Sequence, residues 1–285
     1  IPNFKLDKKI VERRTEWLTD SGVVFNLNTE VGKNISFQDL EKDYDAILIA
    51  TGVYKARQLD IDTSSVNNSI PALDFLIESN RTGLGDSPSK NKNLTAKDKH
   101  VVVIGGGDTA MDCVRTAIRQ QAKEVTCLYR RNKENMPGSA REVLNAEQEG
   151  IKFNWLSVPS KIISDSATAT SMTYKVATLG EVDESGRRKP IDTGVEKQIK
   201  SDLIIQALGF EPEDLNHNFK TNIELTSWKT VKVDFKKFQT SNPKIFAAGD
   251  IVRGASLVVW AIHDGREVAK SIHNFLQNSK IKKAS

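Results

Sequence analysis

The residues best suited to do chemistry stand at positions 105–110, where the sequence reads GGGDTA. In a turn of the form G-x-G-x-x-A, Gly105 permits a tight bend and Gly107, which lacks a Cβ atom, lets a pyrophosphate approach the backbone. Asp108 and Thr109 would begin a helix whose free N–H groups attract an anion, and the small Ala110 would let that helix pack near a strand. The pattern therefore predicts a dinucleotide site.

The neighbourhood of this turn makes the prediction specific. A bare glycine pattern is also compatible with a purely structural turn. Here an apolar run at 100–104 precedes the glycines, an amphipathic helix is expected over 108–121, and a second apolar run follows at 124–129. That order predicts a β-α-β unit in which the glycine turn leads from the first strand into the helix.

The end of the second strand indicates which dinucleotide binds. NAD sites carry a carboxylate there that accepts hydrogen bonds from the ribose, whereas this chain has Arg130 and Arg131. Two guanidinium groups can hold a ribose 2′-phosphate through charge-assisted hydrogen bonds, so we predict NADP(H). The alternative is a merely solvated basic strand end, with Glu134 taking the part of the acidic residue.

A second candidate site lies near the C-terminus, where the sequence FAAGDI occupies positions 246–251. Asp250, at the end of a predicted strand, could accept hydrogen bonds from ribityl hydroxyls, and a helix beginning near Leu257 could stabilise a reduced flavin. Such a turn is common on its own, but the triplets at 50–52 and 207–209 also end apolar strands in glycine. Together these features predict a flavin site.

The remaining pattern supplies the elements that must position these residues. The predicted elements are a helix over 8–21, strands over 23–27 and 45–50, a solvated linker over 79–99, a helix over 140–148, a strand over 151–155, a strand pair over 171–177 and 198–205, a strand over 244–250 that runs into a turn, and a helix over 257–276. Because strands alternate with helices through most of this order, we expect an α/β fold with parallel sheets.

Length and composition exclude several classes of protein. The 285 residues suggest two domains at roughly 150 residues each. No run approaches the roughly 18 apolar residues of a membrane span, and the 41 basic and 37 acidic residues are interleaved, which gives no support to nucleic-acid binding. Cys113 and Cys127 lack C-x-x-C spacing, so we expect core fillers, no metal or iron-sulfur site and a reducing cytoplasm.

Several further motifs are spread over nearly the whole chain. They are IPNFKL at 1–6, YDAILIATG at 44–52, VIGGGDTAMD at 103–112, YRR at 129–131, NMPGS at 135–139, FAAGD at 246–250, WAI at 260–262 and GR at 265–266. Together these motifs resemble one known family, the small (β) subunit of bacterial NADPH-dependent glutamate synthase. The wider group includes the matching domains of dihydropyrimidine dehydrogenase.

The resemblance implies two interleaved Rossmann-like domains, as in glutathione-reductase-like proteins. It places one part of an FAD domain at 1–70, an NADPH domain at 71–210 and the C-terminal part of the FAD domain at 211–285. Electrons would pass from NADPH to FAD and on to the large (α) subunit, where glutamate is made from glutamine and 2-oxoglutarate. Hydride transfer between bound cofactors needs no acid or base, so no catalytic side chain is expected.

Individual positions take roles from the same resemblance. For NADPH they are Gly105, Gly107, Asp108, Thr109 and Ala110 at the pyrophosphate, Arg130 and Arg131 at the 2′-phosphate, and Leu208 and Gly209 beside the nicotinamide. For FAD they are Lys5, Val31, Thr51, Gly52, Gly249, Asp250, Leu257, Val258 and Val259. The family's cysteine-rich region and its first G-x-G-x-x-G are not in this sequence. We therefore expect a C-terminal fragment with an incomplete FAD site.

Two other functions are compatible with the same residues. One is a different NADPH-dependent flavoprotein reductase of this architecture, similar to dihydropyrimidine dehydrogenase. The other is a non-catalytic module that only binds NADP(H).

Overall fold

The computed structural model describes residues 1–87, 94–182 and 186–284. Its helices are α1 (Lys8–Asp20), α2 (Phe37–Asp43), α3 (Ala72–Gly83), α4 (Asp108–Arg119), α5 (Ala140–Gln148), α6 (Leu215–Phe219), α7 (Asp250–Arg253) and α8 (Val258–Ala284). Its strands are β1 (Ile47–Ile49), β2 (Lys55–Ala56), β3 (Ser69–Pro71), β4 (His100–Ile104), β5 (Glu124–Leu128), β6 (Lys152–Asn154), β7 (Ser157–Asp165), β8 (Thr168–Val182), β9 (Arg188–Lys200), β10 (Leu203–Gln206), β11 (Phe210–Glu211) and β12 (Ile245–Ala247).

The chain forms two compact units and crosses between them three times. Unit 1 contains Ile1–Asp20 and Ala56–Gly209, and unit 2 contains Ser21–Lys55 and Phe210–Ser285. These boundaries differ from the predicted division at residue 70, because residues 1–20 and 56–70 belong to unit 1. Pro2 is buried in unit 1, and the Phe4 ring lies under the guanidinium groups of Arg115 and Arg119 on α4.

Unit 1 is built in layers around a parallel five-stranded sheet in the order β3-β10-β4-β5-β6. Alternate residues of β4 face opposite sides, as the pleat of a strand requires. Val101 and Val103 belong to the apolar cluster that includes α3 and α4, whereas Val102 and Ile104 belong to a cluster that includes β8. The sheet is therefore covered on both faces, and the predicted α/β class and β4-α4-β5 unit are confirmed.

An antiparallel sheet of three strands, β7-β8-β9, forms the layer behind β4. The predicted strand pair at 171–177 and 198–205 is wrong in extent. The first strand lengthens to fifteen residues in β8. The second prediction joins two different strands, since β9 ends at Lys200 and β10 begins at Leu203 in the other sheet. The sequence DESG at 183–186, which predicts the turn between these two strands, lies largely outside the described residues.

Unit 2 contains a parallel pair of strands, β1 and β12, with Ile47 opposite Ile245. The strand predicted over 23–27 is not formed, and Val24 and Leu27 are 80% and 77% exposed. A short run of apolar residues does not suffice for a strand, because its backbone needs a hydrogen-bonded neighbour and its side chains need a face to pack on. Neither is provided for this segment by the described part of unit 2.

The linker predicted over 79–99 is also only partly correct. Residues 79–83 complete α3, and residues 88–93 lie outside the described part of the chain. Ala96 is fully buried in the core of unit 1 and its backbone N–H donates to Gln120 Oε1 at 2.8 Å. The low apolar content of the segment predicts no such contact. One small buried alanine is nevertheless enough to fix the end of the segment to the core. None of the described helices is long and apolar enough to cross a membrane.

Candidate functional site

The glycine turn lies at the carboxyl end of β4, at a point where the order of the sheet reverses. The chain leaves β4 through α4 and returns as β5 on one side, while β10 lies on the other side of β4. Ligands of open α/β sheets bind in the crevice that such a reversal opens beyond the strand ends. The predicted dinucleotide turn therefore stands where the topology provides space for a ligand.

Local packing explains why Gly105 and Gly106 are glycines. Gly105 has φ +141°, and a Cβ atom there would overlap the carbonyl oxygen of Ala207 at the end of β10. A Cβ atom on Gly106 would overlap the ring of Tyr129, at the end of β5. The G-x-G-x-x-A pattern allows any residue at position 106, and nothing near Gly106 in the sequence indicates a contact with Tyr129. The contact of Tyr129 with the turn is therefore not predicted from the sequence.

Gly107 differs from its two neighbours because nothing in the chain restricts it. Its φ is −90°, which any residue can adopt, and a Cβ atom would meet no atom within 4 Å. The open space above Gly107 thus has no structural purpose within the chain and fits the room that a pyrophosphate needs. Behind it, Ala110 is fully buried and its N–H bonds to the Gly107 carbonyl at 2.9 Å.

Asp108 and Thr109 stand in the first turn of α4, as expected for residues beside a phosphate. The N–H groups of a first helical turn have no partner within the helix and carry a partial positive charge. The Asp108 carboxylate itself is engaged, because its Oδ1 atom accepts a hydrogen bond from the Ser139 N–H at 2.8 Å. The first turn of α4 therefore offers backbone donors while its acidic side chain is turned to α5.

A loop after β5 braces the glycine turn. The Tyr129 hydroxyl donates to the Asn135 carbonyl at 2.9 Å, and the Gly138 N–H donates to the Gly106 carbonyl at 2.9 Å. A Cβ atom on Gly138 would lie 3.0 Å from that same Gly106 oxygen. The Met-Pro-Gly-Ser motif is one of those that carry the resemblance. In the structure it holds the glycine turn in place through the hydrogen bond from Gly138.

The two arginines predicted for the 2′-phosphate differ sharply in environment. Arg130 is exposed at the end of β5. Arg131 is only 3% exposed, and its Nε atom donates to the carbonyl oxygen of Arg188 on β9 at 2.6 Å. The structure brings both residues to the predicted strand end but does not present the two guanidinium groups in the same way.

The residues predicted beside the nicotinamide close the other side of the crevice. Gly209 has φ +85°, and its carbonyl accepts a hydrogen bond from the Arg57 N–H at 3.1 Å. Leu208 is half-buried against the cluster that contains Ile104 and Ile204. The strand end that follows β10 is thus fixed beside the glycine turn, with Ala207 as the point of contact.

Lys5, predicted to contact flavin, lies in unit 1 and binds two carboxylates there. Its ammonium group forms ion pairs with Asp112 on α4, at 2.5 Å, and with Glu142 on α5. Burial by itself would lower the pKa of Lys5, but the two carboxylates outweigh it and the pKa is raised. The other residues predicted for flavin belong to unit 2, whereas Lys5 belongs to unit 1.

Most of the flavin residues predicted in unit 2 follow β1 or β12 or stand at the start of α8. Gly249 has φ +77°, and the Asp250 carboxylate accepts a hydrogen bond from the Ser256 hydroxyl at 2.7 Å. Gly52, after β1, has φ +70° and follows the exposed Thr51, while Val31 is half-buried in a separate bridge with Ile35. Apolar side chains at the start of α8 face solvent: Leu257, Val258, Val259, Trp260 and Ile262.

An ion pair that the sequence analysis missed fixes the turn before Asp250. Asp264, on α8, is fully buried and accepts two hydrogen bonds from Arg253, at 2.6 and 2.7 Å. The Arg253 guanidinium lowers the pKa of this carboxyl despite its burial. Oδ2 also accepts from the Gly249 N–H at 3.4 Å. The strand end and α8 are therefore held together by a paired buried charge.

The two cysteines lie in the apolar core of unit 1, Cys113 on α4 and Cys127 on β5. Both are buried and free of disulfide bonds. Burial raises the pKa of Cys113 and raises that of Cys127 to about 12, which disfavours the thiolate form of both side chains. Among the described residues, no cluster of three or more His, Cys, Asp or Glu side chains could hold a metal ion.

Known proteins resemble the chain in sequence and in fold. The family described as pyridine nucleotide-disulphide oxidoreductase matches residues 9–265. The small chain of NADPH glutamate synthase from Azospirillum brasilense is 50% identical over 279 residues, covering 96% of this chain and 58% of that one. The small chain from Escherichia coli is 44% identical over 283 residues, covering 97% and 60%. This chain thus spans about three fifths of these relatives.

A solved structure gives the same picture at the level of fold. Mycobacterium tuberculosis FprA, determined in complex with NADPH, superposes with a TM-score of 0.76 and 17% identity, covering 99% of this chain and 75% of that one. At this identity the likeness concerns the fold alone.

Proposed function

Because the chain belongs to the pyridine nucleotide-disulphide oxidoreductase family, we propose that it is the electron-transfer part of a glutamate synthase small chain. In this proposal NADPH supplies a hydride and FAD accepts it. The observation that carries the proposal is the open space at Gly107, within a glycine turn at the point where the sheet order reverses. A ligand with a pyrophosphate accounts for a glycine that the chain itself does not need.

Unit 1 supplies the groups that we assign to NADPH. The first turn of α4 faces the pyrophosphate with backbone N–H donors, and the 135–139 loop keeps this turn in place. The exposed Arg130 meets the 2′-phosphate, and Leu208 and Gly209 line the nicotinamide half. No side chain needs to donate or remove a proton, so binding, orientation and exclusion of water are the whole contribution of these residues.

Unit 2 supplies the groups that we assign to the ribityl and ring end of FAD. Asp250 offers a carboxylate at the start of α7, just after β12, in a turn that is fixed by the Arg253–Asp264 pair. The exposed apolar start of α8, with Val258 and Val259, offers a surface for a flat ring and a helix N-terminus for its negative charge. These features fit a flavin better than a sugar or a metal ion.

We also propose that residues 1–285 do not bind FAD stoichiometrically by themselves. The pyrophosphate of FAD needs its own glycine turn and helix N-terminus. The sequence contains one turn of the form G-x-G-x-x-A, at 105–110, which is assigned to NADPH. The described part of unit 2 has only two parallel strands, β1 and β12, on which such a turn could be built.

The substrate class and partner follow from the relatives and are proposals too. We assign the electrons to the reductive synthesis of glutamate from glutamine and 2-oxoglutarate on a large (α) subunit in the cytoplasm. Identities of 50% and 44% to glutamate synthase small chains support this assignment. The two buried unpaired thiols favour a reducing compartment.

Calorimetric titration of NADPH and NADH into the chain tests the nucleotide assignment. We expect the wild type to prefer NADPH, and Arg130→Ala to weaken NADPH binding roughly tenfold to a hundredfold while leaving NADH unchanged, as for one charge-assisted contact. Lys197→Ala, which removes an exposed charge on β9, is the control. A wild type that prefers NADH, or an Arg130→Ala variant that loses both nucleotides equally, contradicts the assignment.

Absorbance and dye reduction test the flavin assignment. Purified residues 1–285 should be colourless and should not reduce a dye with NADPH. The gene product that includes the upstream region of the relatives should be yellow and active. One bound FAD per chain in residues 1–285 would refute the proposed need for a second glycine turn.

A further inference from the structure

The buried guanidinium of Arg131 raises the question of which second cation serves the 2′-phosphate. A phosphate monoester carries a charge of about −1.5 to −2 at pH 7, more than the single exposed Arg130 neutralises. Arg131 is 3% exposed, and its Nε atom is occupied by the Arg188 carbonyl oxygen at 2.6 Å. Its charge is therefore held inside unit 1.

The Arg131–Arg188 contact brings the β8–β9 hairpin to the end of β5. Two further hydrogen bonds connect the hairpin with Arg131 through Leu156. The Leu156 N–H donates to the Arg131 carbonyl at 3.0 Å, and the Ala177 N–H on β8 donates to the Leu156 carbonyl at 2.8 Å. On the other strand, Arg188 lies opposite Val182 at the start of β9. The position of the Arg188 backbone relative to β5 is thus fixed from two sides.

Arg188 carries an exposed side chain at this place. It is followed by the exposed Lys189, and no ion pair of Arg188 occurs within the described residues. Burying the Arg131 charge costs free energy unless its hydrogen bonds are satisfied. The hydrogen bond to the Arg188 carbonyl therefore stabilises the buried guanidinium group at this strand end. The bond uses the backbone of Arg188 and leaves its guanidinium available.

We propose that Arg188 is a second cationic ligand of the ribose 2′-phosphate, supplied by the hairpin, and that Arg131 is a positioning residue that holds it beside Arg130. This inference rests on the proposed NADPH function. The adjacent pair Arg130 and Arg131 is thereby replaced by Arg130 from the strand end and Arg188 from the hairpin, which lies 57 residues beyond Arg131 in the chain. Specificity for NADPH over NADH then depends on the hairpin.

Titration with 2′,5′-ADP and 5′-AMP isolates the 2′-phosphate, because these probes need neither flavin nor partner. We expect the wild type to bind 2′,5′-ADP more tightly than 5′-AMP. Arg188→Gln should weaken 2′,5′-ADP about tenfold and leave 5′-AMP unchanged, and Arg188→Glu should weaken it further. Lys197→Gln, with the same charge change on the same strand, should bind both probes like the wild type.

The outcomes separate the inference from the function on which it rests. A wild type without preference for 2′,5′-ADP overturns the NADPH assignment and the inference with it. A preference that survives in Arg188→Gln overturns the inference alone. Equal losses for both probes in Arg188→Gln show a structural part and also overturn it. For Arg131→Lys, a loss confined to 2′,5′-ADP supports positioning, whereas equal loss of both probes contradicts it.

Discussion

The backbone N–H of Gly138 donates a hydrogen bond to the carbonyl oxygen of Gly106, 2.9 Å away. This bond joins the loop before α5 to the middle of the glycine turn. A second bond, from the Ser139 N–H to the Asp108 carboxylate, ties the same loop to the first turn of α4. The geometry of the phosphate-binding turn therefore depends on a loop that the glycine pattern does not include.

Replacing Gly138 by valine should disturb the turn from behind. A Cβ atom there would lie 3.0 Å from the Gly106 oxygen, so a branched side chain must displace the turn. We expect NADPH affinity to fall about tenfold, with a small change in the melting temperature. Ser139→Ala keeps the backbone N–H donor and is the matched control. Unchanged NADPH affinity in Gly138→Val, measured by calorimetry, would show that the loop does not position the turn.

Replacing Gly107 should act on the ligand and spare the fold. Its backbone conformation is allowed for any residue and its Cβ direction is empty, so Gly107→Val should fold with a similar melting temperature. The branched side chain would occupy the space assigned to the pyrophosphate, and NADPH affinity should fall about a hundredfold, or roughly 3 kcal/mol. Gly107→Ala should lie between. A folded valine variant that binds NADPH normally would mean that this turn is only structural.

The ion pairs of Glu149 should make stability depend on pH. Burial opposes its charge, but hydrogen bonds from Arg119 and Arg115 lower the pKa from 4.5 to about 2. A lowered pKa stabilises the fold above the unfolded value, and this contribution is lost as pH falls from about 4.5 through about 2. We expect Glu149→Gln to lower the free energy of unfolding by about 1–3 kcal/mol at pH 7, as measured by urea unfolding. The difference from the wild type should become smaller below pH 4.5.

Glu147→Gln provides the comparison for this pH dependence. Glu147 lies two residues earlier and pairs with Lys133 at the surface, where a single ion pair contributes about 0–1 kcal/mol. If Glu147→Gln and Glu149→Gln lower the free energy of unfolding equally at pH 7, the contacts of Glu149 with Arg115 and Arg119 stabilise the chain no more than a single surface ion pair does.

Both cysteines should resist alkylation in the folded chain. The thiolate is the reactive form, and burial raises the pKa of Cys127 to about 12 while its Sγ atom contacts the Gly105 carbonyl at 3.3 Å. Iodoacetamide at pH 8 should leave native Cys113 and Cys127 unmodified and should modify both in urea, as mass spectrometry can measure. Lys197→Cys adds an exposed thiol that should react quickly. Rapid modification of native Cys127 would point to a redox function instead.

The parts of the fold that the sequence predicts are those set by neighbours along the chain. β4, α4 and β5 follow from an apolar run, a glycine pattern and a helical period within thirty residues. The turn at Gly105 and the buried Ala110 follow from the same local rules. For these elements, the order of residue types is sufficient, because strand, turn and helix contact one another directly.

The parts that the sequence does not predict depend on residues far along the chain. Lys5 pairs with Asp112 and Glu142, and a single lysine more than a hundred residues before them gives no sign of such partners. The burial of Arg131 depends on Arg188, whose strand belongs to a different sheet. The segment 23–27 has the residue types of a strand, but strand formation also requires a neighbour that residue types alone do not specify.

The three crossings of the chain between the units set the order in which they can form during synthesis. Every segment of unit 1 has been made once Gly209 is complete, but β1 must wait for β12, which begins at Ile245. At about 5–20 residues per second, Ile47–Ile49 leaves the ribosome roughly 10–40 s before its partner strand exists. During that interval an apolar strand stays without its partner while the segments of unit 1 are completed, so we expect unit 2 to be the last to form.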